Sequence, residues 1–232
     1  MAGSTAGSLT AVPFGAEMRK QFNFADGYTP LNHGSYGTFP RHILEKQQDF
    51  QRQYEARPCI FETHTYPKLL KESRAAIAPL LGADVGEIGF VRNASTGTNM
   101  MLGNQDYKEG DVILHFDSLY GACLKNIRFL EETTPARGKS IQVTFPASHA
   151  EIVQAFKDAV AEVKAAGQNP KIAVFDTIVS QPGVKLPWEE LVGICREAGI
   201  LSAVDAAHAV GHIDMTHTGR VSPDFLVSNC HK

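Results

Sequence analysis

The sequence lacks what would carry a chain through a membrane or onto a polyanion. It has no run of about 20 apolar residues, so no membrane-spanning helix is written in it. Its opening, MAGSTAGSLTAVPFGAEMRK, has no charged start followed by an apolar core, so a secretory signal is not expected. Neither sign of charge dominates: 22 Lys and Arg face 25 Asp and Glu, a net charge of -3 with no basic stripe. That balance argues against a nucleic-acid partner. Cysteine is scarce too. Cys59, Cys123, Cys195 and Cys230 lie far apart, and no CxxC or Cys/His finger spacing is present. Neither a disulfide framework nor a zinc site of that kind is indicated, and reduced thiols in the cytoplasm are expected. No internal repeat is present. Asn93-Ala94-Ser95 fits a glycosylation sequon, which carries no weight without a secretory signal.

What is there suits one globular domain, or one and a fraction: 232 residues, 43% of them hydrophobic. Residues 1–30 read as an N-terminal arm, small and polar over 1–12, and residues 31–232 as the domain. The domain opens on LNHGSYG (31–37), which is either a plain loop or a backbone that approaches a ligand closely. Pro40 opens a helix with Ile43, Gln47, Phe50 and Tyr54 on one face, and Pro58 breaks it. A second helix between Tyr66 and Leu81 ends at Gly82. Phe61, His64 and Tyr66 between them are core or pocket lining.

From Ile88 the pattern changes to six short β-type runs: 88–92, 112–116, 140–145, 171–176, 201–205 and 225–228. Helical stretches separate several of them. One starts at the Ser148…Glu151 capping box, and another runs from Pro187 to Gly199. Short, fully apolar strands alternating with helices imply an α/β fold with a mostly parallel sheet. Ligands of such sheets sit outside the carboxyl ends of the strands.

Polar residues collect at those ends. NASTGTN (93–99) puts small residues and hydroxyls at a helix start, either an anion cradle or an ordinary cap. Tyr120 beside Gly121 is a packing tyrosine or a ring that stacks on a planar group. Asp176, Thr177, Ser180 and Gln181 are a turn or a set of hydrogen-bonding groups. Asp205 ends an apolar strand, where a carboxylate needs a cationic or donor partner. His208 follows, and the last run delivers Asn229, His231 and Lys232. An acid and a lysine at the ends of neighbouring strands are what pyridoxal phosphate (PLP) needs. The lysine holds the aldehyde and the acid keeps the pyridine nitrogen protonated. The same residues allow a competing metal reading, with His208 and His212 one helical turn apart and Asp205, Asp214 and His217 near; no metalloprotease signature supports it.

Six motifs taken together, LNHGSYGTFP (31–40), FVRNASTGTN (90–99), HFDSLYGA (115–122), VFDTIVSQPGVKLPW (174–188), VDAAHAVGHI (204–213) and DFLVSNCHK (224–232), resemble the class V aminotransferase-like, fold type I PLP enzymes. Within them the sequence resembles the isopenicillin N epimerase-like branch, and most of all the fungal hercynylcysteine sulfoxide lyases of ergothioneine biosynthesis. The resemblance implies the fold type I large domain, with Lys232 as the Schiff-base lysine, Asp205 on the pyridine nitrogen and His208 by the phenolate oxygen. Tyr120 would stack on the ring. Ala94, Ser95 and Thr96 would hold the phosphate, helped by Asn229 and His231. Ser180 would lie at the ring edge, and Asn32 and His33 would border the substrate. Ala94 departs from the hydroxyl residue that relatives often carry. The resemblance also implies a C–S lyase, with epimerase, aminotransferase or an inactive fragment as alternatives, and a homodimer when full length; no metal is expected. Relatives continue past the lysine, so a small C-terminal domain is expected to be missing here.

Overall fold

The computed structural model describes residues 12–232; most of the small, polar head of the expected arm lies outside the described residues. The described residues divide into two compact units, residues 12–69 with His231, and residues 70–230 with Lys232.

The first unit is helical. It holds α1 (Ala16–Arg19), α2 (Arg41–Ala56), α3 (Pro58–Ile60), a π-helical turn (Phe61–Thr65) and the start of α4 (Tyr66–Leu81). Pro40 occupies the cap of α2, and the expected break at Pro58 is only a corner. Arg57 takes up the change of direction. Pro58 then starts α3, a position where its missing N–H costs nothing. Phe61 packs edge-on against Tyr54 at 5.8 Å between ring centroids, whereas His64 and Tyr66 are exposed, so these two are not core.

The second unit is the α/β domain. It contains the rest of α4, then α5 (Ala94–Gly103), β1 (Asp111–Phe116), α6 (Gly121–Thr133), β2 (Arg137–Ile141), α7 (His149–Ala165), β3 (Asn169–Asp176), α8 (Trp188–Ala198), β4 (Leu201–Ala206), α9 (Thr218–Val221) and β5 (Phe225–Ser228). The five strands lie in the order β2-β1-β3-β4-β5, all parallel. The order reverses at β1, where the chain steps to β2 on one side and returns to β3 on the other. Both faces are covered. Leu114, Phe116, Phe175 and Val204 enter one apolar cluster with Phe156 of α7 and Trp188 of α8. Ile113, Ile172, Val174 and Ala203 enter the other with Leu102 of α5 and Ile127 of α6. Two buried faces explain why the strands read as unbroken apolar runs.

Two of the six expected runs differ. Residues 88–92 pair with no strand; they lead through a bend at Arg92 and Asn93 into α5, with Phe90 and Val91 exposed. The third run, 140–145, is β2, which its ladder with β1 places from Arg137, opposite Val112, to Ile141, opposite Phe116. It is an edge strand, and its Arg, Lys and Ser are the polar residues that edges tolerate. The helix signals hold. Ser148 and Glu151 form the reciprocal capping box, and Gly199 ends α8 in the left-handed conformation at φ 72°. No helix among the described residues is long and apolar enough to cross a membrane.

Candidate active site

The site grows from the ends of β3 and β4. Parallel pairing sets Asp176 directly beside Asp205, and Val227 of β5 on the other side of Asp205. Asp205 has the parity of Ala203, so its side chain is on the α5/α6 face. Its Oδ1 accepts the Ala207 N–H at 2.9 Å, and its Oδ2 accepts the Cys123 thiol of α6 at 3.6 Å. Asp205 is 3% exposed. Burial pushes its carboxyl upward, while the Ala207 and Cys123 donors, Lys232 and His208 oppose the push.

Lys232 completes the cluster. Its Nζ lies 3.2 Å from His208 Nε2, and it is half-buried. Burial pulls its amine below the ordinary lysine range; the charges of Asp205 and Asp176 act the other way. His208 sits in a turn just after β4, so the one-turn helical spacing to His212 that a metal site needs is not formed. His217 pairs with Glu189 at 3.3 Å. Among the described residues no group of three His, Cys, Asp or Glu could hold a metal ion.

Asn229 donates from Nδ2 to the Ala207 carbonyl at 3.3 Å, and Ser228 from Oγ to the Ala206 carbonyl at 2.6 Å. Both bonds tie the end of β5 to the end of β4. Helix α5 lies on this same face, against β5. Gly97 permits it, since a Cβ there would collide with Val227 Cγ2. At its start Asn93 Oδ1 accepts the Thr96 N–H at 2.8 Å and the Thr96 hydroxyl at 3.1 Å. Ala94 is buried, and Ser95 and Thr96 are half-buried. Tyr120 caps α6 with its ring about half exposed, and Ser180 is half-buried in the loop after β3.

The structure therefore brings Asp205, His208 and Lys232 together and hangs Asn229 beside them. Asn32, His33 and His231 belong to the first unit. There the Asn32 carbonyl accepts the N–H groups of Ser35 and Tyr36, and His33 Nε2 lies 2.9 Å from the His231 carbonyl oxygen. Sequence reasoning missed Cys123 as a site residue and gave Asp176 only as one member of a turn or of a set of hydrogen-bonding groups. For Asp176 a signal existed, an acid at the end of an apolar strand like Asp205; for Cys123 the only one is its place three residues after Tyr120.

These residues fit PLP. A buried carboxylate suits a pyridinium nitrogen, a half-buried amine suits an aldehyde, and the first turn of a ten-residue helix suits a phosphate.

An all-parallel sheet with its polar groups at the strand ends and a lysine beside a buried acid has the make-up of an α/β cofactor-binding domain. The class V aminotransferase family model matches residues 37–232, and the chain belongs to that family, whose enzymes use pyridoxal phosphate. It is 36% identical over 221 residues to the L-cysteine desulfhydrase-like protein lolT1 of Epichloe uncinata, covering 95% of this chain and 48% of that protein. It is 29% identical over 219 residues to the hercynylcysteine sulfoxide lyase of Schizosaccharomyces pombe, covering 94% and 54%. A solved structure of a C-DES mutant with glycine covalently linked to its PLP cofactor superposes with a TM-score of 0.77 at 21% identity, covering 92% of this chain and 55% of that one. The chain spans about half the length of the curated relatives it matches.

Proposed function

We propose that the chain carries the PLP site of a C–S lyase acting on L-cysteine or an S-substituted cysteine. One observation carries the reading: the Lys232 amine, 3.2 Å from His208, stands beside the buried Asp205. When bound, PLP supplies an electron sink for the substrate's α-carbon. Asp205 would pair with the ring nitrogen and His208 with the phenolate oxygen. Ala94, Ser95 and Thr96 would hold the phosphate with Asn229. Tyr120 would stack on the ring, with Ser180 at its edge. Lys232 would hold the aldehyde, and its Nζ would be the base that takes the proton from the α-carbon. The depressed pKa of that amine favours the unprotonated form a base requires.

The relatives named as an L-cysteine desulfhydrase-like protein and as a hercynylcysteine sulfoxide lyase support the lyase outcome. The finer reading, a hercynylcysteine sulfoxide lyase of ergothioneine biosynthesis working as a cytoplasmic homodimer, rests on the family resemblance. Incubation with PLP should give a visible absorption band that borohydride abolishes, with the reduced adduct mapped to Lys232 and no band in Lys232→Ala. No band in the parent chain, or an adduct elsewhere, overturns the cofactor reading. Pyruvate released faster from an S-substituted cysteine sulfoxide than from cysteine supports the finer reading. Loss of α-stereochemistry without pyruvate would make the chain an epimerase. Light scattering on a PLP-loaded full-length form checks the dimer, and a monomer there contradicts it.

A further inference from the structure

We propose that Asp176 is a positioning residue of this site, carrying a proton so that Asp205 is the pair's only anion. The proposal rests on the reading of Asp205 as the pyridine partner and adds the group that fixes its charge.

The two acids are register partners at the ends of adjacent parallel strands, where neighbouring backbones lie about 4.8 Å apart. Paired residues of parallel strands project to the same face. Both acids are 3% exposed. Two carboxylates so placed do not both ionise, since each charge raises the energy of the other where water cannot screen it. Their hydrogen bonds decide which one keeps the proton. Asp205 has a donor on each oxygen, the Ala207 N–H and the Cys123 thiol. Asp176 accepts only its own backbone N–H, and its Oδ2 is buried with no hydrogen-bond partner. Donors stabilise a charged carboxylate, so the charge settles on Asp205.

The other ionisable groups facing the pair agree with this assignment. Lys232 acts on both acids, and His208 acts on Asp205. Cys123, from α6, is itself held neutral by burial and by the charge of Asp205, its thiol pushed up to about 12. At the end of β1, His115 Nδ1 is bonded to the Phe116 carbonyl and Asp117 to the Val143 N–H. Burial first, then the charge of Asp205, pushes the Asp176 carboxyl well above the ordinary range. A single negative charge would then meet the single positive charge of a pyridinium. A second anion at Asp176 would compete for Lys232 and hold its amine protonated.

Infrared spectroscopy of the cofactor-free chain near neutral pH tests this directly, with PLP titrations alongside. The parent chain should show the carbonyl stretch of a protonated carboxyl, shifted in heavy water, absent in Asp176→Asn and retained in Asp205→Asn. Asp176→Asn, which keeps the shape and the neutrality, should bind PLP within about threefold of the parent, and Asp205→Asn at least about tenfold more weakly. No band in the parent, a band that survives in Asp176→Asn or vanishes in Asp205→Asn, or an Asp176→Asn variant as weak as Asp205→Asn overturns the proposal. The band is read without cofactor, so a chain that fails to bind PLP would sink the proposed function while the band still decides where the proton is.

Discussion

At the scale of single residues, the chemistry at the strand ends is carried by pairs that lie far apart in the chain. Asp205, His208 and Lys232 are legible in sequence because their types are rare at the ends of apolar runs. The Cys123 contact is not legible, since it depends on where α6 docks on the sheet. Nor is the direct pairing of Asp176 with Asp205, which depends on the β3/β4 register. The buried acid also has a thermodynamic consequence. The folded state keeps a proton on Asp176 at a pH where the unfolded chain, titrating near 4, has lost it. The folded state then binds more protons, and stability falls as pH rises from about 4 through the raised folded range. Asp176→Asn removes that dependence. Its urea midpoint is expected to exceed the parent's near pH 7, and the gain should disappear near pH 4. A midpoint below the parent's near pH 7 would mean that the carboxylate is charged and favourably paired.

At the scale of elements, helices are easier to read than strands. Ser148 with Glu151, and Gly199, mark their helix ends by local chemistry that needs no tertiary partner. Strands need a neighbour. Residues 88–92, apolar but unpaired, therefore mimic a strand in sequence, and the polar start of the edge strand β2 is invisible to an apolar pattern. The docking of α5 on β5 turns on one missing side chain. Alanine at Gly97 would gain about 1 kcal/mol of helix propensity. Its Cβ would also strike Val227, a buried β-branched residue with little rotamer freedom. Overpacking of that kind costs about 1–3 kcal/mol, so Gly97→Ala is expected to destabilise the chain in urea unfolding. Val227→Ala in the same chain should recover most of the loss. Additive penalties in the double-mutant cycle would disprove the contact.

At the scale of the whole α/β unit, the fold class is readable and the assignment of faces is not. A parallel sheet covered on both sides shows no alternation, so nothing in the strands says that Asp176 and Asp205 look toward α5 and α6. The separation of faces predicts that stability and chemistry can be perturbed independently. Phe156 of α7 stands on the far face, 6.1 Å from the rings of both Phe116 and Phe175, and is 1% exposed. Phe156→Ala leaves a cavity there, at a cost of about 3–5 kcal/mol, a large share of the roughly 5–15 kcal/mol that holds a domain folded. Trp188, the chain's single tryptophan, is fully buried in the same cluster, so its fluorescence follows the loss directly. The urea midpoint reported by Trp188 is expected to fall steeply. PLP affinity, measured in the absence of urea and corrected for the folded fraction, should stay within about twofold of the parent. A matching collapse in affinity would show that the two faces of the sheet are coupled, and that the site depends on the α7 core as much as on the strand ends that carry it.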